Sequence, residues 1–381
     1  MGDEQPKEQP SEHIQHTSEH KPEQKHHEIK AEKPKLSLKQ STIKFYDTKY
    51  KQILYFTFIL LFVSLFLIGL RIFQTGDFVG KDISLSGGIT ITIFNEQDYD
   101  LRDLDNYLKS QFPDKEISIR SLNQLGKSIG IIIEGTDIES DDVITSLESK
   151  IGKISQEDYS VSMMGSSLGN TFFKETLKAI FVSFMFMGLV VFLYFGESLK
   201  MKIISTVVTF IVGMMIFGGT TNIIKDIIAY ILGLGLLIIY YNNSRPSFMM
   251  ILSVFADLVV TLAVVNLLGM KISTAGVASF LMIIGYCVET NILLTTKVLK
   301  KKEGSLIERI IEAFKTGFVM TSTAAAAVLI ALIFTQSDVI KEIMAILLIG
   351  LIAEIIFTWG QNVALLRIYL EKKSANHELH N

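Results

Sequence analysis

Three acidic residues stand inside long apolar runs: Asp257 in "SVFADLVVTLAVV", Glu289 in "IIGYCVETNILL" and Glu354 in "LIGLIAEIIFTW". Asn291 follows Glu289 closely in the second run. A run of about 20 apolar residues is long enough to cross a hydrocarbon core of about 30 Å. A charged group at the centre of such a core costs at least about 2.5–3.5 kcal/mol. An acid placed there therefore needs a reason. One reason is chemistry: a carboxyl facing a bundle interior binds and releases protons and marks an ion or substrate path. The other is structural: a neutral carboxyl bonded to Ser, Thr or Asn across helices holds the helices together. Both readings stay open for Asp257 and Glu289. Glu354 is the weaker candidate for chemistry and reads first as polar glue.

Helical spacing divides these residues. Positions three and four apart share a face, so Gly285, Glu289, Ile292 and Thr296 look one way. Asn291 points elsewhere, to the side of Cys287 and Thr295. Glu289 and Asn291 thus cannot form one site on their own helix, and each needs partners from other helices.

Other chemistries are poorly supported. "GGTTN" and "SLSGG" contain glycines but lack the GxxxxGK[ST] phosphate loop, so direct use of ATP is not expected. The apolar part of the chain has no histidine and no HExxH or GxSxG pattern. An intramembrane aspartyl protease built on Asp257 and Glu289 would need a GxGD context, which "FAD" and "VET" do not supply. The single cysteine, Cys287, excludes an intramolecular disulfide and a CxxC metal site, and reads as a small buried residue. No bond-making enzyme, no metal and no cofactor are expected.

The elements that hold these residues are membrane helices. Of 381 residues, 49% are hydrophobic, clustered in runs. Only helices or closed barrels satisfy their backbone in lipid, and continuous runs point to helices. The first is "ILYFTFILLFVSLFLIGLRIF", residues 53–73. Others are expected near 177–195, 202–218, 223–241, 248–268, 276–297, 317–334 and 343–366, eight in all. Lys44, Lys49 and Lys51 precede the first run, which places the N-terminus in the cytoplasm. With eight spans the C-terminus is cytoplasmic too. Lys200, Lys202, Arg245, Lys297, Arg309, Arg367, Lys372, Lys373 and the Lys300–Lys302 block then fall inside, and the outer loops between the later helices carry only Lys225, Lys271 and Lys341. The lysine block is an orientation signal, and no nucleic-acid partner is expected. Arg71 snorkels toward the outer interface.

Residues 75–175 are polar and mixed, and read as a folded extracytoplasmic domain. "DISLSGGITITIF", "EISIRSL", "SIGIIIEG" and "DYSVSMM" have strand character. "LRDLDNYLKSQF" and "ESDDVITSLESKIG" have helical spacing. The order β-α-β-β-α-β predicts a ferredoxin-like α+β fold. Residues 1–50, without an apolar core and holding His13, His16, His20, His26 and His27, read as a disordered cytoplasmic tail. No regular ligand spacing gives those histidines a metal role. The organisation is then tail, first helix at 51–74, outer domain at 75–175, helical membrane domain at 176–372 and a short cytoplasmic tail at 373–381.

Several stretches taken together resemble the archaeal branch of the SecF family of protein-export membrane proteins, whose fold is similar to the RND superfamily of exporters. They are "FADLVVTLAVVNLLGMKIS", "LMIIGYCVETNILLTTKVLKKKEGSLIERIIEAFKTGFVMTSTAAAAVL" and "FTWGQNVALLRIYLE". "ISLSGGITITI", with Gly87 and Gly88, is similar to that family's Gly-Gly strand after the first helix. Gly285, Tyr286, Thr295 and Thr296 belong to the matching stretch around Glu289 and are expected to be structural. The resemblance implies six core helices, a SecD-like partner, the Sec translocation channel, secreted or membrane polypeptides as substrates, and coupling to the proton gradient. Two departures stand out. Relatives show Asp at both polar positions of a GYSVDTD motif, where this chain has Glu289 and Asn291. Family members also pass directly from the second helix to the one holding Asp257, whereas residues 202–241 add two further spans here, read as a peripheral hairpin. An RND-like exporter of small molecules or lipids is the alternative, although such proteins carry two repeats in one chain.

Overall fold

The computed structural model describes residues 38–378, apart from 96–98, 114, 116, 125–126, 137, 219–222, 302 and 336. The histidine-bearing stretch before residue 38 and the last three residues lie outside the described residues. The described residues open with α1 (Leu38–Thr75), which starts well upstream of its apolar run. Next come β1 (Gly80–Lys81), α2 (Ile83–Ser86), β2 (Gly88–Phe94), α3 (Leu101–Gln111), β3 (Ile117–Gln124), β4 (Lys127–Gly135), α4 (Ser140–Ile151) and β5 (Tyr159–Met164).

These elements form the expected α+β unit. The sheet order is β3-β4-β2-β5, with every neighbouring pair antiparallel. Each helix crosses over a strand that pairs between the two it connects, which is the split βαβ arrangement of the ferredoxin-like fold. Strand β2 buries Ile89, Ile91 and Ile93 and turns Thr90 and Thr92 to the other face, as a period of two requires. Asp100 caps α3 by accepting from the Arg102 and Asp103 amides at 3.0 and 3.3 Å. The amphipathic helices then bring Leu104 and Leu108 of α3, and Val143 and Leu147 of α4, onto the isoleucines of β2 and β4.

Gly88 shows why the Gly-Gly pair stands at the start of β2. Its φ is +141°, and a Cβ there would run into the Gly135 carbonyl of β4. Only glycine fits that backbone without strain. Gly88→Ala is expected to destabilise the α+β unit by about 2 kcal/mol or more. Amide hydrogen exchange across β2 and β4 in the solubilised protein reads this directly. Protection equal to that of the unsubstituted chain would contradict it.

The rest is helical: α5 (Ser166–Phe195), α6 (Leu199–Phe217), α7 (Ile223–Asn243), α8 (Arg245–Leu267), the short strand β6 (Lys271–Ile272), α9 (Thr274–Lys300), α10 (Leu306–Phe334) and α11 (Asp338–Ile356). A π-helical segment, Phe357–Asn362, leads from α11 into α12 (Val363–Glu378). Among the described residues, seven helices are long and apolar enough to cross a membrane: α1 and α5 to α10. The eighth expected span corresponds to α11. It is strongly apolar but also carries Lys341, Glu342 and Glu354, and it packs against α8, α9 and α10 and buries Ile346, Leu347 and Leu351.

Helices α8 and α9 form the centre of the bundle. Their apolar windows are 61% and 50% buried, against 11% for α10. The extra helices α6 and α7 form a hairpin against α5 and α8. Tyr240 of α7 is fully buried, its ring 4.7 Å from Phe192 of α5. Lys178 of α5 and Asp226 of α7 pair at 3.1 Å. The opposite faces of the hairpin, with Phe210, Met214, Ile227 and Ile231, are exposed, so it stands at the edge of the bundle.

The segment leaving α1 is pinned to the loop between α8 and α9. β1 pairs in parallel with β6, and the Asp82 amide donates to the Ile272 carbonyl at 2.9 Å. Asn266 Nδ2 donates to the Phe78 carbonyl at 2.8 Å. At the other end of α1, Tyr50 donates to Glu371 Oε2 at 2.8 Å, while Arg367 Nε holds Glu371 Oε1 at 2.8 Å.

Candidate functional site

The polar residues of the bundle meet where α8, α9, α11 and the π-helical segment pack together. Asp257 of α8 is fully buried, and the Cys287 thiol of α9 faces it. Neither Asp257 oxygen has a hydrogen-bond partner among the described residues. Glu354 of α11 is 1% exposed and lies within reach of the hydroxyls of Thr290 on α9 and Thr321 on α10. Its Oε1 is also without a partner there.

Glu354 lies in electrostatic range of both other acids, Asp257 and Glu289. The three carboxyls therefore come from three helices, with Glu354 in the middle. Glu289 is exposed on the outer face of α9. With Tyr286, Thr290, Met320, Thr321 and Glu354 it lines a cavity of about 80 Å³ between α9, α10 and α11. One wall of that cavity is Glu354 itself, which is thus the only one of the two buried acids to border it.

Asn291 belongs to a different part of the same interface. Its side chain is fully buried, and Nδ2 donates to the Cys287 carbonyl at 2.7 Å and to Thr358 Oγ1 at 3.0 Å. Asn362 Nδ2 in turn donates to Asn291 Oδ1 at 2.6 Å. Thr358 and Asn362 both sit in the π-helical segment, whose widened turn presents successive polar side chains to α8 and α9. π-Helical turns are rare and frequently occur at functional sites. Gln361, in the same segment, is fully buried with neither amide atom bonded among the described residues.

The structure thus separates Glu289 and Asn291 as helical spacing predicts. Glu289 shares the exposed face with Gly285 and Tyr286, while Asn291 shares the buried face with Cys287 and Thr295. It does not bring Asp257 and Glu289 together as a simple pair. Asp257 is on the Cys287 side of α9, Glu289 is on the other, and Glu354 intervenes. Glu354, read from the sequence first as polar glue, has the surroundings that reading expects in the Thr290 and Thr321 hydroxyls, and it is also placed within electrostatic range of both other acids. Thr358, Gln361 and Asn362 carry no weight in a search for acids. The signal for them is the polar run "TWGQN" inside an otherwise apolar helix. Among the described residues, no group of three His, Cys, Asp or Glu side chains is arranged to hold a metal ion.

A family model described as protein export membrane protein SecD/SecF, C-terminal, matches residues 219–372, from the hairpin to α12. The chain is 30% identical to a protein-export membrane protein SecF of Methanocaldococcus jannaschii over 325 residues, covering 83% of this chain and 94% of that protein. It is 30% identical to the SecF of Pyrococcus furiosus over 252 residues, covering 64% of this chain and 78% of that one. The crystal structure of SecDF, a translocon-associated membrane protein from Thermus thermophilus, shares the fold with a TM-score of 0.53 at 14% identity. That match covers 85% of this chain and 38% of the longer SecDF chain. With this identity across nearly the whole of a SecF protein, on a bundle of the same fold, the chain belongs to the SecF family of protein-export membrane proteins.

Proposed function

We propose that this protein is the SecF subunit of a SecD–SecF pair that assists polypeptide export through the Sec channel, and that its carboxyls relay protons to drive that work. The observation that carries the relay is the position of Glu354 between buried Asp257 and exposed Glu289. Three acids from three helices, the two buried ones with oxygens that have no hydrogen-bond partner among the described residues, form a stepwise path from the bundle core to its lateral surface. Asn291 and Asn362 act beside them as uncharged partners that fix α9 against the π-helical segment. In this reading both termini are cytoplasmic and the α+β unit stands on the outer side, where it meets the emerging polypeptide.

The lateral end of the path explains the need for a partner. Ala278, Met282, Gly285, Tyr286 and Glu289 form one exposed stripe along α9. A carboxylate facing lipid is costly. A second membrane subunit laid along this stripe removes that cost, and small residues such as Ala278 and Gly285 let its helix approach closely.

Affinity purification of this chain from its native membrane in mild detergent, with mass spectrometry of what accompanies it, tests the assignment. A stoichiometric second protein with a similar helix pattern, together with Sec channel subunits, is the expected result. Recovery of the chain alone or as a homo-oligomer would instead favour an RND-like exporter of small molecules.

A further inference from the structure

The geometry points to a bound phospholipid at the membrane boundary on the α+β side, its phosphate held by Arg71 and Lys271 and an acyl chain lying in the adjoining apolar cleft. Two cavities meet there. One, of about 460 Å³, is polar and is lined by Arg71, Asp77, Lys81, Ser86, Asn170 and Lys271 among others. The other, of about 170 Å³, is apolar and is lined by residues such as Phe78, Phe173, Leu177, Leu258, Leu262 and Phe280. Val79 lines both.

The charge of the polar cavity calls for an anion. Lys81 Nζ is 2.8 Å from Asp77 Oδ1 and 4.6 Å from the Phe173 ring centre, so that pair is satisfied internally. Asp77 is the one carboxylate in that lining and already pairs with Lys81, so Arg71 and Lys271 leave the cavity with an excess of positive charge. Arg71 Nε is buried and has no hydrogen-bond partner among the described residues. A guanidinium is a planar fork suited to two phosphate oxygens at once, and leaving its buried N–H unmet is costly.

The position of the cavity calls for a lipid. Arg71 sits near the end of the apolar part of α1, where headgroups meet the hydrocarbon core. A free phosphate would fill only the polar half of the space. A phospholipid supplies an anion for Arg71 and Lys271 and a chain for the slot walled by Phe173 and Phe280. Such a lipid would also bridge α1, β1 and the loop before α9, the segments that β1 and β6 already tie together.

Native mass spectrometry of the full-length protein in mild detergent tests this, with dioleoylphosphatidylglycerol as the probe and dioleoylglycerol as its phosphate-free counterpart. Retention of the phospholipid but not of the diacylglycerol is expected. Arg71→Gln should weaken retention about tenfold, the worth of a charge-assisted contact, and Arg71→Lys should weaken it less. Leu262→Trp, which fills the apolar slot, should weaken it without changing the charge. If Arg71→Gln does not give a monodisperse protein, Lys271→Gln, at an exposed position, decides instead. Equal retention of diacylglycerol, or unchanged retention in the charge-removing variants, would overturn the proposal. Displacement of the lipid by an equal concentration of inorganic phosphate would also overturn it, and would assign the cavity to a free anion.

Discussion

Glu354→Gln is expected to reduce proton-gradient-dependent export about tenfold or more, with the chain still inserted and still paired. Glutamine keeps the size of the side chain and can still hydrogen-bond to the Thr290 and Thr321 hydroxyls that Glu354 approaches. A residue that only joins α9, α10 and α11 would therefore tolerate the change. A residue that must take up and release a proton would not. The substitution thus separates the two roles that an acid in a helix bundle can play, which removal of the whole side chain would not do. Glu289→Gln should have the same sign, because it closes the lateral end of the path, and Asp257→Asn should too, because it closes the inner end. The measurement is export of a reporter polypeptide in cells, with and without a collapsed proton gradient. If all three amide variants export at the unsubstituted rate, the acids are structural and the relay is wrong. If only Glu289→Gln is impaired, the path does not run through Glu354.

Much of this arrangement is written in the sequence, for reasons that differ from element to element. Continuous apolar runs predict α5 to α10 because a helix in lipid must satisfy its own backbone and has few compositional options. The α+β unit is legible because β2 alternates with a period of two and α3 and α4 repeat near 3.6. Gly87 and Gly88 announce a special backbone, although not that the Gly135 carbonyl is what excludes a side chain at Gly88. The opposite orientations of Glu289 and Asn291 follow from spacing on one helix. What spacing cannot supply is the neighbour on another helix. Glu354 looks like a lone acid in a run of isoleucines and leucines, and only the packing of α11 against α8 and α9 sets it between Asp257 and Glu289. The π-helical turn is invisible for a similar reason. Phe357–Asn362 has no residue that forbids an ordinary α-helix, and the wider turn arises where Thr358, Gln361 and Asn362 must be accommodated against α8 and α9.

Gly317→Leu is expected to destabilise the bundle by about 3 kcal/mol or more, the upper range for an overpacked core. Gly317 of α10 faces the Trp359 ring, and a Cβ there would collide with Cζ2, lie 3.0 Å from Cη2 and lie 3.2 Å from Thr290 Cγ2. Trp359 has little room to withdraw. It is 6% exposed, stands edge-on to Phe314 at 5.1 Å and belongs to the π-helical segment. Displacing it moves the turn that holds Thr358 and Asn362 on Asn291, while displacing Thr290 disturbs a neighbour of Glu354. Thermal unfolding in detergent should show a clearly lowered midpoint. Gly285→Leu is the informative contrast, because a Cβ at Gly285 on α9 meets nothing within 4 Å. The isolated chain should tolerate that change with its midpoint intact. In the native membrane it should instead release the partner subunit, since the added side chain projects from the exposed stripe that carries Glu289. Should Gly317→Leu leave the midpoint unchanged, the close contact between α10 and Trp359 would be incorrect. Should Gly285→Leu retain the partner at full stoichiometry, the stripe on α9 would not be the surface it covers.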